Sequence, residues 1–362
     1  MNVMDTTDNL RIADTEEVAN PVDLFKEYPI NSAAIETVQS ARDAIHQILR
    51  GEDDRLLVVV GPCSIHDPKA ALEYAERLAV LRNELSADLV IVMRVYFEKP
   101  RTRVGWKGLI NDPDLTDEFN INKGLRKARK LLLELASHGM PAATEYLDLI
   151  SPQYISDLIS WAAIGARTTE SQGHRELASG VSCPIGFKNG TNGNLNIAID
   201  AIAAANRPHR FLSVNKLGHS SIFATTGNDD CHIILRGGKK PNYDEQSVES
   251  AIGKLNDAEL SPHLMVDMSH ANSSKDFRNQ PKVATEVARQ ISAGSDSICG
   301  VMIESHLIEG QQNGNNKSLQ QLTYGQSITD ACIGWDDTDS VLRQLSEAVK
   351  HRRVAGKSSS KV

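Results

Sequence analysis

The 362 residues, 40% of them apolar and 24% charged, describe an ordinary globular chain and exclude a disordered one. A net charge of −8 argues against non-specific nucleic-acid binding, and no apolar run approaches the roughly 18 residues a membrane span needs. The acidic opening "MNVMDTTDNLRIADTEE" lacks the apolar core of a signal peptide, and five scattered cysteines without a CxxC suit a reducing cytoplasm and exclude a structural zinc knuckle.

In chain order, the first segment, 1–50, carries one predicted helix near 32–50 and no strand. The apolar run "LLVVVG" at 56–61 then stops at Gly61-Pro62, with Cys63 and His66 close behind. A helical pattern follows in "KAALEYAERLAVLRNEL", and then "LVIVMRV" at 89–95. "LRKARKLLLELASHG" is helical and ends in Gly139, a stop signal. Next come "PAATE" at 141–145, "WAAIGA" at 161–166 and "PIGFK" at 184–188. The stretch "HRFLSVNKLGHSSIFATTGND" at 209–229 reads differently, as two short strands around a turn at Asn215–Gly218. The series resumes with "HIILRG" at 232–237, "HLMVDMS" at 263–269 and "CGVMIES" at 299–305. "QQNGNNKSLQQ" at 311–321 is a low-complexity loop, and the small, polar tail at 351–362 is expected to fray.

Eight runs that are apolar nearly throughout, separated by helical patterns, predict a parallel sheet covered by helices. Eight such units favour a closed (β/α)8 TIM barrel over an open sheet. No GxGxxG follows the first strand, so nothing supports a dinucleotide fold. The predicted organisation is an N-terminal extension over 1–50 and a barrel over 51–350, with the 209–229 hairpin inserted between units five and six.

Active sites of such barrels stand at the C-terminal ends of the strands. Those ends carry Cys63, Arg94, Glu145, Arg167, Lys188, Arg236, His270 and Glu304, with Lys99 and Arg101 just after the second strand. So many cations in one mouth, on an acidic chain, make a positive funnel for small anions, phosphates first. For a lone arginine the plainer reading is a solvated surface side chain. Lys188 and Arg236 resist that reading, because each closes an apolar strand ahead of a glycine-containing turn.

Cys63, His270, Glu304 and Asp330 form a mixed sulfur, nitrogen and oxygen set. It suits a divalent first-row metal without choosing among Mn, Fe, Co, Cu and Zn. Two other readings stay open: Cys63 as a plain core residue, and a Cys63–His66 nucleophile pair. Glu304 after "GVMI" and Asp267 in "LMVDMSH" need a partner or a metal in a buried strand, and His270 is a candidate for orientation by a neighbouring group.

The motifs "GPCSIHDP", "VMRVYFEKPRTRVGWKGLINDP", "AIGARTTESQ", "GFKNGT", "HIILRGGKKPNY", "VDMSHANSSK", "ESHLIEG" and "YGQSITDACIGW" resemble those of the type I 3-deoxy-D-arabino-heptulosonate 7-phosphate (DAHP) synthases. Within that family the resemblance is to the enterobacterial phenylalanine-sensitive branch, and it covers nearly the whole chain. It implies condensation of phosphoenolpyruvate with erythrose 4-phosphate, the first step toward the aromatic amino acids. It implies Cys63, His270, Glu304 and Asp330 as ligands of one divalent metal, Mn foremost. It also implies Lys99, His270 and Cys63 as the catalytic set, with Lys99 as a proton donor or a purely electrostatic group. Phosphoenolpyruvate is expected at Arg94, Lys99, Glu145, Arg167, Lys188 and Arg236 with the backbone of Gly165 and Ala166, and the aldose at Pro100, Arg101 and Thr102. A related barrel synthase acting on arabinose 5-phosphate and a catalytically silent regulatory barrel are the alternatives.

The same resemblance implies a cytoplasmic homotetramer, a dimer of dimers, inhibited by L-phenylalanine away from the metal, with tyrosine or tryptophan as the alternative effectors. The matching pocket residues are Pro152, Gln153, Leu177, Val181, Ser182, Phe211 and Ser213. Leu177 and Val181 lie four apart, on one helix face, and Phe211 and Ser213 share one face of a strand. Packing of the hairpin onto the barrel is the plainer reading of Leu177.

Overall fold

The computed structural model describes residues 7–101, 105–314 and 317–359, with side chains through 355. Two helices come first, α1 (Pro21–Glu27) and α2 (Ser32–Leu49). Then β1 (Leu56–Gly61), α3 (Pro68–Glu84), β2 (Leu89–Arg94), α4 (Ile121–Ser137), β3 (Ala142–Glu145), α5 (Pro152–Ile155), β4 (Trp161–Ile164), α6 (Gln172–Ala178), β5 (Ile185–Lys188) and α7 (Asn196–Ala205) alternate. The antiparallel hairpin β6 (Arg210–Val214) and β7 (Ser220–Ala224) interrupts the alternation at its predicted place. The series continues with β8 (Cys231–Leu235), α8 (Glu245–Asp257), β9 (Leu264–Asp267), α9 (Gln280–Ser292) and β10 (Ile298–Glu304). Two short strands, β11 (Ile308–Gln311) and β12 (Gln326–Ser327), and the long helix α10 (Trp335–Ser359) follow. Within 311–321, Gln311 ends β11 and Leu319–Gln321 form a 3-10 turn.

The eight remaining strands close a parallel barrel in the order β1, β10, β9, β8, β5, β4, β3, β2. Their residues are buried on both faces, which is why the sequence shows unbroken apolar runs instead of alternation. Alternate residues still divide the work. Val58 and Val60 pack outward with Tyr74 and Leu78 of α3. Leu57 and Val59 point inward to meet Val92, Trp161, Ile234 and Met302. Helix starts are set locally: Asn31 accepts from Ala34 N at 2.8 Å, and Asp67 accepts from Lys69 N ahead of Pro68.

Helix α2 closes the N-terminal floor of the barrel. Ile45, Ile48 and Leu49 join the inward cluster. Arg42 bonds the carbonyls of Ser156 and Ile159, and His46 Nδ1 meets Asp230 at 2.7 Å. The predicted fraying of the tail does not hold for its first part. Helix α10 runs on to Ser359, because Arg352 bonds Ser295 O and Arg353 pairs with Asp54 and the buried Asp88.

Candidate active site

The seam between β1 and β10 places the first functional pair. Gly61 stands in register with Glu304, and a side chain at Gly61 would meet Arg94 O at 2.7 Å. Only glycine therefore allows β1 and β2 to close there. Two residues on, the buried Cys63 faces Asp330, with Sγ to Oδ2 at 3.7 Å. Cys63, Glu304 and Asp330 offer ligand atoms that all lie within 4.8 Å of one another. Burial, and then the Glu304 carboxylate, push the Cys63 thiol up to about 11. A divalent cation at this cluster would reverse that and favour the thiolate. The donor set fits a first-row metal.

His270 is not within that three-residue cluster, although it lines one cavity with Glu304 and Asp330. Its backbone is left-handed, φ 55°, a conformation sparsely populated by residues with a side chain. Its Nδ1 is 2.9 Å from Asp267 Oδ2 and 2.6 Å from Ser269 Oγ. A carboxylate at Nδ1 keeps the proton there and leaves the Nε2 lone pair for a ligand.

Arg94 is fully buried and holds the floor of the site. Its guanidinium bonds Glu304 Oε1 at 2.9 Å and the carbonyls of Pro62 and Cys63, and it lies 3.6 Å from the Tyr96 ring centre. Burial opposes its charge, but the ionisable groups of Tyr96, Glu304 and Cys63 more than offset this, so its pKa is raised. Lys99 Nζ reaches Cys63 Sγ at 3.1 Å. Burial disfavours the Lys99 ammonium, yet Cys63, Glu304 and Asp330 carry its pKa above the ordinary lysine value. Asp330, at the rim with its carboxylate turned to the cluster, is held below the usual carboxylate range: partial desolvation there opposes this, and Lys99, His270 and Arg94 outweigh it.

A cavity of about 450 Å³ opens next to this cluster. Lys99, Lys188, Arg167 and Arg236 line it, with Glu145, His270 and Asp330. Lys188, closing β5, is buried and bonds Asp267 Oδ2 at 2.9 Å. Arg236 leaves β8 with its backbone N–H held by Asn189 Oδ1. Gly165 and Ala166 form the cavity wall, and a side chain at Gly165 would strike Glu145 Oε1. Arg167 reaches over to Pro100 O at 2.9 Å. Pro100 and Arg101 stand at the rim of both this cavity and a neighbouring one of about 770 Å³. Thr102 lies outside the described residues.

Two contributors escaped the sequence reading. Gln280, at the start of α9, clamps the Glu304 backbone from both sides: its Nε2 donates to Glu304 O and its Oε1 accepts from Glu304 N, both at 2.9 Å. Nothing in "NQPK" signals this. Tyr96 was detectable, since two residues after Arg94 in an extended run it shares that face.

The residues expected at the effector pocket come from neighbouring elements. Pro152 and Gln153 open α5, Leu177 is buried on α6, and Phe211 and Ser213 sit half-buried on β6. Val181 is half-buried and Ser182 exposed, just after α6. Lys216 in the hairpin turn donates to Gln153 O and accepts from Val22 N through its carbonyl. Tyr154 donates to Ala19 O. Hairpin, α5 and N-terminal extension thus form one connected patch.

Known proteins are similar to this chain over nearly its whole length. Residues 27–343 match the family described as "DAHP synthetase I family". The chain is 62% identical over 346 residues to the "Phospho-2-dehydro-3-deoxyheptonate aldolase, Phe-sensitive" of Escherichia coli (strain K12), covering 96% of this chain and 98% of that one. It is 55% identical over 349 residues to the Trp-sensitive aldolase of Enterobacter agglomerans, covering 96% of this chain and 100% of that one. A solved structure of the aldolase from Francisella tularensis SCHU S4 superposes with a TM-score of 0.92 at 51% identity, covering 94% of this chain and 99% of that one. On this near full-length agreement in sequence and fold, the chain belongs to the DAHP synthetase I family.

Proposed function

We propose that the barrel mouth condenses phosphoenolpyruvate with erythrose 4-phosphate and water, giving 3-deoxy-D-arabino-heptulosonate 7-phosphate and inorganic phosphate. The observation that carries this is the juxtaposition of Lys99, Lys188, Arg167 and Arg236 around one cavity with the Cys63–Glu304–Asp330 cluster. Arg94, Lys188, Arg167 and Arg236 supply the cations for the carboxylate and phosphate of phosphoenolpyruvate, with arginine suited to bidentate contact. Pro100, Arg101 and Thr102 take the aldose. C3 of the enol phosphate bonds to the aldehyde carbon, water adds at C2, and phosphate leaves with its bridging oxygen. A divalent metal held by Cys63, His270, Glu304 and Asp330, Mn foremost, would supply Lewis acidity toward the aldehyde oxygen. Lys99, whose pKa Cys63, Glu304 and Asp330 hold above the ordinary lysine value against burial, is placed to give a proton to the nascent alkoxide or to balance its charge.

The same reading makes this a cytoplasmic enzyme with phenylalanine as its effector, bound at Pro152, Gln153, Leu177, Val181, Ser182, Phe211 and Ser213. The named sensitivity of the 62% identical Escherichia coli relative supports the choice over tryptophan. A homotetramer is supported by the outer hairpin face. Leu212 and Ile222 stand opposite one another across the strands and are 82% and 73% exposed, an apolar patch that suits a subunit boundary.

The test is loss of phosphoenolpyruvate with purified protein and erythrose 4-phosphate, with and without chelator, and with each aromatic amino acid. Turnover that chelator stops and added Mn²⁺ restores, slowed by phenylalanine, is the expected result. Turnover with arabinose 5-phosphate alone would overturn the substrate assignment, and a response to tyrosine or tryptophan alone would overturn the effector.

A further inference from the structure

The Asp267 carboxylate touches both halves of the site. It ends β9 with no exposure to solvent. Its Oδ2 lies 2.9 Å from Lys188 Nζ in the anion cradle and 2.9 Å from His270 Nδ1 on the metal side. Its Oδ1 is occupied by Ser269 N at 3.0 Å and Ser269 Oγ at 2.7 Å. Asn272 fixes the backbone beneath it, donating to the carbonyls of Asp267 and Leu235. Lys188 and His270 therefore share one oxygen that solvent does not reach, and Ser269 Oγ, bonded to Oδ1, stands 2.6 Å from His270 Nδ1 beside it.

We propose that Asp267 is a positioning residue that couples phosphoenolpyruvate binding to metal binding, each tightening the other. This rests on the proposed function, in which Lys188 holds phosphoenolpyruvate and His270 ligates the metal. When the Lys188 ammonium engages a substrate anion, its pull on Oδ2 weakens. Oδ2 then accepts more strongly from His270 Nδ1–H, which makes Nε2 a better ligand. The effect runs in reverse as well, because coupling of two binding events is reciprocal. A metal on Nε2 strengthens the Nδ1–H donor, draws Oδ2 toward His270 and frees Lys188 for the substrate. The plainer role, neutralising a buried lysine, accounts for the Lys188 contact. It does not account for the left-handed backbone that brings His270 to the same oxygen.

The experiment titrates Mn²⁺ into the full-length, metal-stripped protein by calorimetry, with and without saturating phosphoenolpyruvate and with no aldose present. The wild-type protein should bind Mn²⁺ about 5- to 150-fold more tightly with phosphoenolpyruvate than without it. Asp267→Asn, which keeps the shape and loses the charge, should bind both and show less than about twofold coupling. Lys188→Met provides the second measurement should the Asn variant fail to fold. It releases Oδ2 to His270, so its Mn²⁺ affinity without phosphoenolpyruvate should move toward the substrate-bound wild-type value. Wild-type coupling retained in Asp267→Asn, or a Lys188→Met affinity at or below that of the substrate-free wild type, overturns the inference. So does a wild type that binds both ligands without coupling, and that result leaves the proposed function standing. A wild type that binds neither overturns both.

Discussion

At the floor of the barrel, Leu57, Val90, Trp161 and Cys299 join Ile45 and Ile48 of α2 in one apolar cluster, and the interior is closed by apolar contact. A few residues further along the same strands, Arg94, Lys188, Asp267 and Glu304 are just as buried and carry charge. Burial at the floor removes apolar surface from water and stabilises the fold at about 25 cal/mol per Å². Burial at the mouth takes ions out of water, and their mutual attraction offsets that loss only in part. The two ends divide the labour: the floor supplies stability, and the mouth uses some of it to hold charges in place for a substrate.

Replacements at the two ends should therefore fail in opposite ways. The largest effect is expected at Cys63. Cys63→Ala should abolish metal retention and turnover while its thermal midpoint stays near that of the metal-stripped wild type, measured by metal analysis and circular dichroism. Turnover at the wild-type level would remove Cys63 from the metal site. Next comes the floor. Ile45→Ala leaves a cavity under the barrel and should lower stability by about 2–5 kcal/mol in urea unfolding, with kcat/KM per folded molecule unchanged. A large loss of kcat/KM there would break the division between the ends.

Lys188→Ala and Arg236→Ala should each remove a charge-assisted bond of about 1.5–3 kcal/mol, so kcat/KM should fall at least about tenfold. Lys127→Ala, whose ammonium pairs with Asp114 on the outer layer, is the control and should retain full activity. Equal losses in all three would contradict the placement of the anion site.

The smallest expected effect concerns pH at the floor. Inside the barrel, Trp161 Nε1 lies 3.3 Å from His232 Nε2, and burial lowers His232 to about 4. The unfolded chain takes up this proton below about pH 6.5, while the folded chain resists it to about 4. This contribution is therefore complete above pH 6.5 and lost as pH falls toward 4. By pH 5 the loss is about 2 kcal/mol. His232→Gln should flatten that part of the stability profile relative to wild type. An unchanged slope would mean that other groups dominate the acid limb.

Much of the mouth was legible because its residues mark a change of pattern. Lys188, Arg236 and Glu304 each end an unbroken apolar run, and a charge in that position has few plain explanations. Asp330 was not legible in this way. It comes from a loop beyond β12, and only the wording of "SITDAC" pointed to it. Gln280 was silent because it acts on the backbone of a residue 24 positions away. The left-handed turn at His270 left no trace either, since no glycine or asparagine stands there. The last helix was misjudged from its small polar residues. What holds it is Arg353 reaching Asp54 and Asp88, 299 and 265 positions back, and local composition carries no record of such a contact.

The barrel seam has a consequence in time. Strand β1 pairs with β2 on one side and with β10 on the other, and 267 positions separate Cys63 from Asp330. At about 5–20 residues per second, synthesis from the first to the second takes roughly 13 to 50 s. For most of that interval, until β10 is made, "LLVVVG" presents one uncharged, unpaired edge, the kind that recruits other chains. The edge that later joins Gly61 to Glu304 is thus an aggregation hazard of the nascent chain. Slower elongation after residue 94 lengthens the exposure in proportion.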